Sequence, residues 1–208
     1  AFLVRVVPRI EDVRRVPRDV VFVLDRSASM SGEKIAQARA ALLHGLGTLR
    51  AGDRFAIVTF STEVDQPAGA GLHAAEPGAI DRARRAVAAI DAGGGTNIAG
   101  ALDAALALRS DDPGRMRVIV FLTDGQATVG ETNADRIVAA YRDTAGRGVR
   151  LFAFGVGRGV HDFLLTRLAK GGRGAAEYVE EGEDLEVKLS SLFDRVQSPV
   201  MTDLALSV

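Results

Sequence analysis

Two carboxylates and three hydroxyls stand where apolar runs give way to polar loops. Asp25, Ser27 and Ser29 follow the apolar run at residues 20–24, with Arg26 and Ala28 between them. Asp124 comes after the run at residues 118–122, behind Thr123 and ahead of Gly125. Thr96 closes a glycine cluster, Gly93-Gly94-Gly95, and precedes Asn97 and a helical pattern that begins at Ile98. All of these side chains offer oxygen; none offers nitrogen or sulfur. Such a set suits a hard divalent cation, and Mg²⁺ in particular is held near-octahedrally at about 2.0–2.1 Å with several waters retained. Ser27 and Ser29 alternate within an extended turn, so both hydroxyls can face one ion. The glycines let the Thr96 backbone come close, and Asp25 and Asp124 would compensate the charge directly or through water.

Each piece also has an ordinary reading. Ser29 or Ser31 could cap the helix that follows, and Thr96 or Asn97 the next one. Asp124-Gly125 by itself is a turn signal. The combination carries more weight, because every piece falls at the correct end of an independently inferred element.

Those elements come from periodicity. Runs at residues 20–24, 55–60, 118–122 and 151–154 are short, almost wholly apolar and rich in Val, Ile and Phe, as parallel strands buried on both faces are. Between them, helical spacing links Ile35, Leu42, Leu43, Leu46 and Leu49; then Ile80, Ala83, Val87 and Ile90; then Ile98, Leu102, Ala105 and Leu106. Further helices are expected around Ile137, Val138 and Tyr141, around residues 163–168, and over Leu185, Leu189, Leu192 and Val196. Alternation of this kind predicts an α/β fold: a doubly wound, Rossmann-like sheet, mostly parallel, with helices on both faces. Residues 62–66 are expected to add a short antiparallel edge strand, and residues 176–179 a final parallel one. In an open sheet of this type, ligands bind beyond the carboxyl ends of the strands where the strand order reverses. The five oxygen-bearing residues fall there.

The ends do not fit the alternation. Residues 2–7 and 204–208 are strand-like and bounded by Pro8 and Pro199. The expected organisation is therefore a module over residues 18–198, with residues 1–17 and 199–208 pairing with each other, joining a flanking β-domain, or fraying. A start at Ala1 in strand-like sequence reads as a piece of a longer chain.

Composition narrows the partners. With 26 basic and 27 acidic residues the net charge is −1, which gives no field to attract nucleic acid. Cysteine is absent, so disulfides, thiolate metal sites and a cysteine nucleophile are excluded. No run approaches the roughly 20 apolar residues of a membrane span. Nearly all the basic residues are arginine, pointing to a GC-rich bacterial source.

Catalytic readings fare poorly. A Mg²⁺-dependent phosphohydrolase of the haloacid-dehalogenase pattern needs a second Asp where Ser27 stands. The glycine cluster before Thr96 lacks the Lys of a phosphate-binding loop, and no Gly-x-Ser-x-Gly elbow exists. His44, His73 and His161 lie in unrelated segments, and Gly155-Val156-Gly157-Arg158-Gly159 lacks the spacing of a dinucleotide fingerprint. The expectation is a binding module and not an enzyme. Its alternatives are the phosphohydrolase and a scaffold domain with an empty metal site.

The pattern Asp25-x-Ser27-x-Ser29, with a later Thr96 and a later Asp124, resembles the metal-ion-dependent adhesion site of the von Willebrand factor type A family. The resemblance extends to Gly52-Asp53-Arg54-Phe55 and Gly94-Gly95-Thr96-Asn97-Ile98. Its flanks, Pro17-Arg18-Asp19-Val20-Val21-Phe22 and Leu192-Phe193-Asp194-Arg195-Val196, look like the subgroup of inter-α-trypsin inhibitor heavy chains and their bacterial relatives, in which a β-rich domain precedes the module. Ala28 departs from the family's common Gly, and the turn should survive unless φ is positive there. The resemblance implies a sheet order of 3-2-1-4-5-6 with the site between strands 1 and 4. It also implies a divalent metal, Mg²⁺ first with Mn²⁺ and Ca²⁺ as alternatives, held mostly by neutral hydroxyls. The ion then keeps charge to accept an Asp or Glu carboxylate from a protein partner, with Arg26 and Met30 on the rim. An extracytoplasmic or cell-surface setting follows from the same likeness, as does a C-terminal helix at residues 184–196 that slides on ligand binding in some members.

Overall fold

The computed structural model describes residues 16–109, 112–145, 148–157, 162–179, 183, 187–188 and 191. Its centre is β1 (Arg18–Asp25), buried at every position. A strand with no polar face must be covered on both sides, and it is. Val20, Phe22 and Leu24 point into one core with α1 (Glu33–Gly47) and α2 (Pro77–Ala88). Val21 and Val23 point into the other, with α3 (Ile98–Ala107), α4 (Ala134–Ala145) and α5 (Asp162–Gly171). This is the period-two alternation of a strand between two helical layers.

β1 pairs in parallel with β2 (Arg54–Phe60) on one side and β5 (Met116–Thr123) on the other. β6 (Val149–Val156) and β7 (Ala176–Val179) continue in parallel beyond β5. The short antiparallel β3 (Val64–Asp65) closes the opposite edge, giving the order β3-β2-β1-β5-β6-β7. The chain thus winds outward from β1 in one direction, then returns through α3 to wind in the other. The expected order of six strands holds, because β4 (His73–Ala74) is an additional antiparallel pair on the amino end of β2 and lies off this path. Two residues per strand carry no periodicity, so β4 had no signal in the sequence.

The expected helices form with small shifts. Leu49 and Ile90 lie just past the ends of α1 and α2 yet are buried in the same core. Phe163, the second residue of α5, is half exposed, under the Arg167 guanidinium, which lies 4.9 Å from its ring centre. The terminal strands expected at residues 2–7 and 204–208 lie outside the described residues. So does most of the expected C-terminal helix, of which Val187, Lys188 and Ser191 are helical.

Below the sheet, at the amino ends of the strands, buried ion pairs lock the frame. Arg18 donates through Nη2 to Asp53 Oδ2 at 2.6 Å, with both side chains almost fully buried. Asp19 receives Arg54 at 2.9 Å and Arg115 at 2.6 Å. Burial pushes the carboxyls of Asp19 and Asp53 up, but their arginine partners more than offset it and hold both below the usual range. This end of the sheet is a structural anchor for β1, whose other end opens onto the site.

Candidate metal centre

Asp25 is the last residue of β1 and Thr123 the last of β5, so the two meet at the carboxyl edge where the strand order reverses. Thr123 Oγ1 donates to Asp25 Oδ2 at 2.5 Å. The other Asp25 oxygen accepts from the backbone N–H of Ser27 at 2.8 Å. Asp25 is completely buried. Burial pushes its carboxyl up; the bonds from Thr123 and Ser27 oppose that without cancelling it, and the nearby Asp124 charge adds to the rise.

The chain then makes a single 3-10 turn over Ala28–Met30 before α1. Ser27 Oγ and Ser29 Oγ stand 3.1 Å apart, and Ser29 Oγ donates to Asp124 Oδ1 at 2.8 Å. Neither Ser29 nor Ser31 caps α1. The capping position is Gly32, in the left-handed region at φ 81° with no side-chain cap. At the other helix it is Asn97 that caps, accepting from Gly100 N–H at 3.0 Å, and Thr96 is spared that role. Ala28 sits in the 3-10 turn, and among the described residues the non-glycine with positive φ is Arg173, so the Gly-to-Ala departure at 28 carries no strain.

The three loops are bonded to one another. Ala28 N–H donates to Gly94 O at 3.0 Å, and Gly93 N–H to Arg26 O at 2.7 Å. Thr96 is clamped from the Asp124 side: its N–H donates to Thr128 Oγ1 at 2.9 Å, and its carbonyl accepts from Thr128 and Val129 N–H. A Cβ at Gly95 would meet Val129 Cγ2 at 2.6 Å, so the clamp needs glycine there. A Cβ built on Gly125 would stand 3.7 Å from Ser29 Oγ and 3.9 Å from Thr96 Oγ1. Hydroxyls from two separate loops therefore flank one point beside Asp124.

All five residues named from the sequence converge, and four of them (Asp25, Ser27, Thr96 and Asp124) are buried while Ser29 faces the solvent. Among the described residues no three acidic or histidine side chains gather as a metal-binding group. The donors here are mainly hydroxyls, with two carboxylates behind them. That composition fits a hard dication that binds few anions directly.

The rim differs from expectation at Met30. Its side chain is fully buried in the core with Ile35 and Leu42, because the 3-10 turn rotates it inward beneath the loop. Arg26 does reach the surface, but its guanidinium is bonded to Asp65 at 2.8 Å. Two participants had been missed. Thr123 directly follows the apolar run at residues 118–122 and was given no role of its own beside Asp124. Lys34 Nζ donates to Asp124 Oδ2 at 2.6 Å, with 30% of its side chain exposed. A cation in the first turn of a helix opposes the helix dipole, and that anomaly was the available signal.

An open α/β sheet wound outward in both directions from β1, with three loops meeting where the strand order reverses, defines a domain of the doubly wound class. The chain belongs to the von Willebrand factor type A domain family, whose model matches residues 18–178. It is 36% identical over 199 residues to inter-alpha-trypsin inhibitor heavy chain H4 of Homo sapiens, covering 92% of this chain and 21% of that protein. The chain thus spans about a fifth of the length of the curated relatives it matches. In fold it resembles a von Willebrand factor type A structure from Catenulispora acidiphila, with a TM-score of 0.78 at 21% identity over 85% of this chain and 42% of that one. It also resembles proximal thread matrix protein 1 from the mussel byssus, in a structure described as having a zinc-occupied MIDAS motif. There the TM-score is 0.67 at 21% identity, over 88% of this chain and 45% of the other.

Proposed function

We propose that this domain is a metal-ion-dependent protein-binding module. Ser27, Ser29 and Thr96 supply hydroxyls to one divalent cation, and Asp25 and Asp124 compensate its charge directly or through water. The observation that carries the reading is the convergence of Ser29 and Thr96 on one point beside Asp124. The zinc described in the MIDAS motif of the mussel protein supports the same kind of occupancy here, with Mg²⁺ the first candidate ion and Mn²⁺ or Ca²⁺ the alternatives.

Charge gives the mechanism. Around the site two carboxylates face one ammonium, that of Lys34, leaving a net negative charge. A dication reverses the sign. With neutral hydroxyls as its protein ligands, the ion retains electrophilic character, and an Asp or Glu carboxylate from a partner protein is the natural additional ligand. Ser29, the exposed member, lies on the side from which a partner would approach. Asp25 is unsuited to attack a substrate: it is buried, and both its oxygens are already accepting hydrogen bonds. Binding, not turnover, is the activity the site supports. The likeness to inter-alpha-trypsin inhibitor heavy chains supports an extracytoplasmic or cell-surface setting.

Calorimetric titration with Mg²⁺ and Mn²⁺, followed by partner pull-down in Mg²⁺ against EDTA with Ser27→Ala as control, tests this. Metal binding and recovery that depend on both the ion and Ser27 are expected. Equal recovery in all three conditions would sink the metal-bridged model, and absence of metal binding would leave a scaffold domain.

A further inference from the structure

We propose that Lys34 is a tethered competitor for the divalent cation at Asp124 and so sets the cation concentration at which the site fills. The inference rests on the metal reading above and concerns a residue outside the five proposed ligands. Asp124 divides its two oxygens: Oδ1 accepts from Ser29 Oγ at 2.8 Å, within the hydroxyl cluster, and Oδ2 accepts from Lys34 Nζ at 2.6 Å. The carboxylate that would balance a dication is therefore already balanced by an ammonium.

Lys34 is placed there by tertiary structure. It lies in the first turn of α1, where the helix dipole opposes a positive charge. Its stem packs beside the end of β6, where a Cβ on Gly157 would stand 3.0 Å from Lys34 Cε. The other charged groups nearby are engaged elsewhere. Arg26 is bonded to Asp65, and Asp25 is held by Thr123 and the Ser27 N–H. Among the described residues, Lys34 is the cation paired with Asp124.

Two consequences follow from like-charge repulsion. A dication drawn toward Asp124 meets the ammonium across one carboxylate, so Lys34 weakens metal binding. Without a dication, the ammonium keeps two neighbouring buried acids from facing each other unbalanced, so it stabilises the metal-free fold. Because part of its side chain reaches solvent, Lys34 can leave Asp124 and turn outward when the ion arrives.

The test compares wild type, Lys34→Met, Lys34→Gln and Lys34→Arg by Mg²⁺ calorimetry and by thermal melts in EDTA, with Mn²⁺ as a second probe. The two neutral variants are expected to bind Mg²⁺ about tenfold more tightly, equivalent to about 1.4 kcal/mol, and to melt at lower temperature in EDTA. The Arg variant keeps the charge and is expected to stay near wild type in both measurements. Unchanged or weaker Mg²⁺ affinity in neutral variants that retain a cooperative melt overturns the proposal and leaves the metal site standing. Failure of wild type and every variant to bind either ion removes the metal reading and this inference together. Binding gained only by the neutral variants supports it.

Discussion

Thr123→Val isolates the bond that aims Asp25. Valine keeps the shape of threonine in a position with no solvent exposure, so packing is preserved and only the hydroxyl is lost. That hydroxyl donates to Asp25 Oδ2 at 2.5 Å and accepts from Gly125 N–H at 3.2 Å. A hydrogen bond to a charged group contributes about 1.5–3 kcal/mol, and stranding the Gly125 N–H adds about 1 kcal/mol. The expected loss is about 2–4 kcal/mol at pH 8, or roughly 5–15 °C in Tm for a domain of this size. The pH dependence sharpens the test. The Asp25 carboxyl is raised in the folded state, chiefly by burial. Its neutral form therefore favours folding at low pH, and that advantage is lost as pH rises through the folded value. Removing a donor to the charged form raises the carboxyl further, so the deficit of the Val variant grows from pH 5 to pH 8. Urea unfolding in EDTA at the two pH values measures this without interference from metal affinity. Thr123→Ser, which keeps the hydroxyl and removes one methyl, should lose about 1 kcal/mol at both. A Val variant as stable as wild type at pH 8, or one with equal losses at pH 5 and pH 8, would refute the reasoning.

Two other outcomes are expected. Met30→Ala should cost about 2–5 kcal/mol in denaturant unfolding, because the side chain fills core space under the site; a near-zero loss would return Met30 to the rim. The carboxyls of Asp19 and Asp53 are held below the usual range by their arginines, so the stability they contribute is present above the ordinary aspartate value. It is lost as pH falls through their lowered folded values. Asp53→Asn, which leaves Arg18 buried beside a neutral partner, should cost about 3–5 kcal/mol near neutral pH and flatten the acid limb of a melt series from pH 6 to pH 3. An Asn variant with a wild-type acid limb would count against that account.

Much of this domain can be read from local pattern alone. A strand buried on both faces must be apolar throughout, so residues 20–24 and 118–122 declared themselves as central strands. The crossover rule then placed the polar residues after them at one edge of the sheet. The donor types at Asp25, Ser27, Ser29, Thr96 and Asp124 carried the metal hypothesis before any coordinates. Met30 misled because a 3-10 turn rotates side chains differently from an extended loop, and three residues leave no period to detect. β4 escaped for the same reason.

What the sequence determined by itself is a matter of short-range physics: which segments are buried, which are helical, and which oxygen donors follow each strand. Tertiary structure alone decided how those donors are held and shared. Thr123 reaches Asp25 across 98 residues, and Lys34 reaches Asp124 across 90. At the start of α3 the Asn97 side chain caps, while the main chain of Thr96 is bonded to the Thr128–Val129 segment. Pairings of this kind depend on strand order and loop packing, which bring distant residues within hydrogen-bonding distance and leave no mark on the residues next to them in the chain.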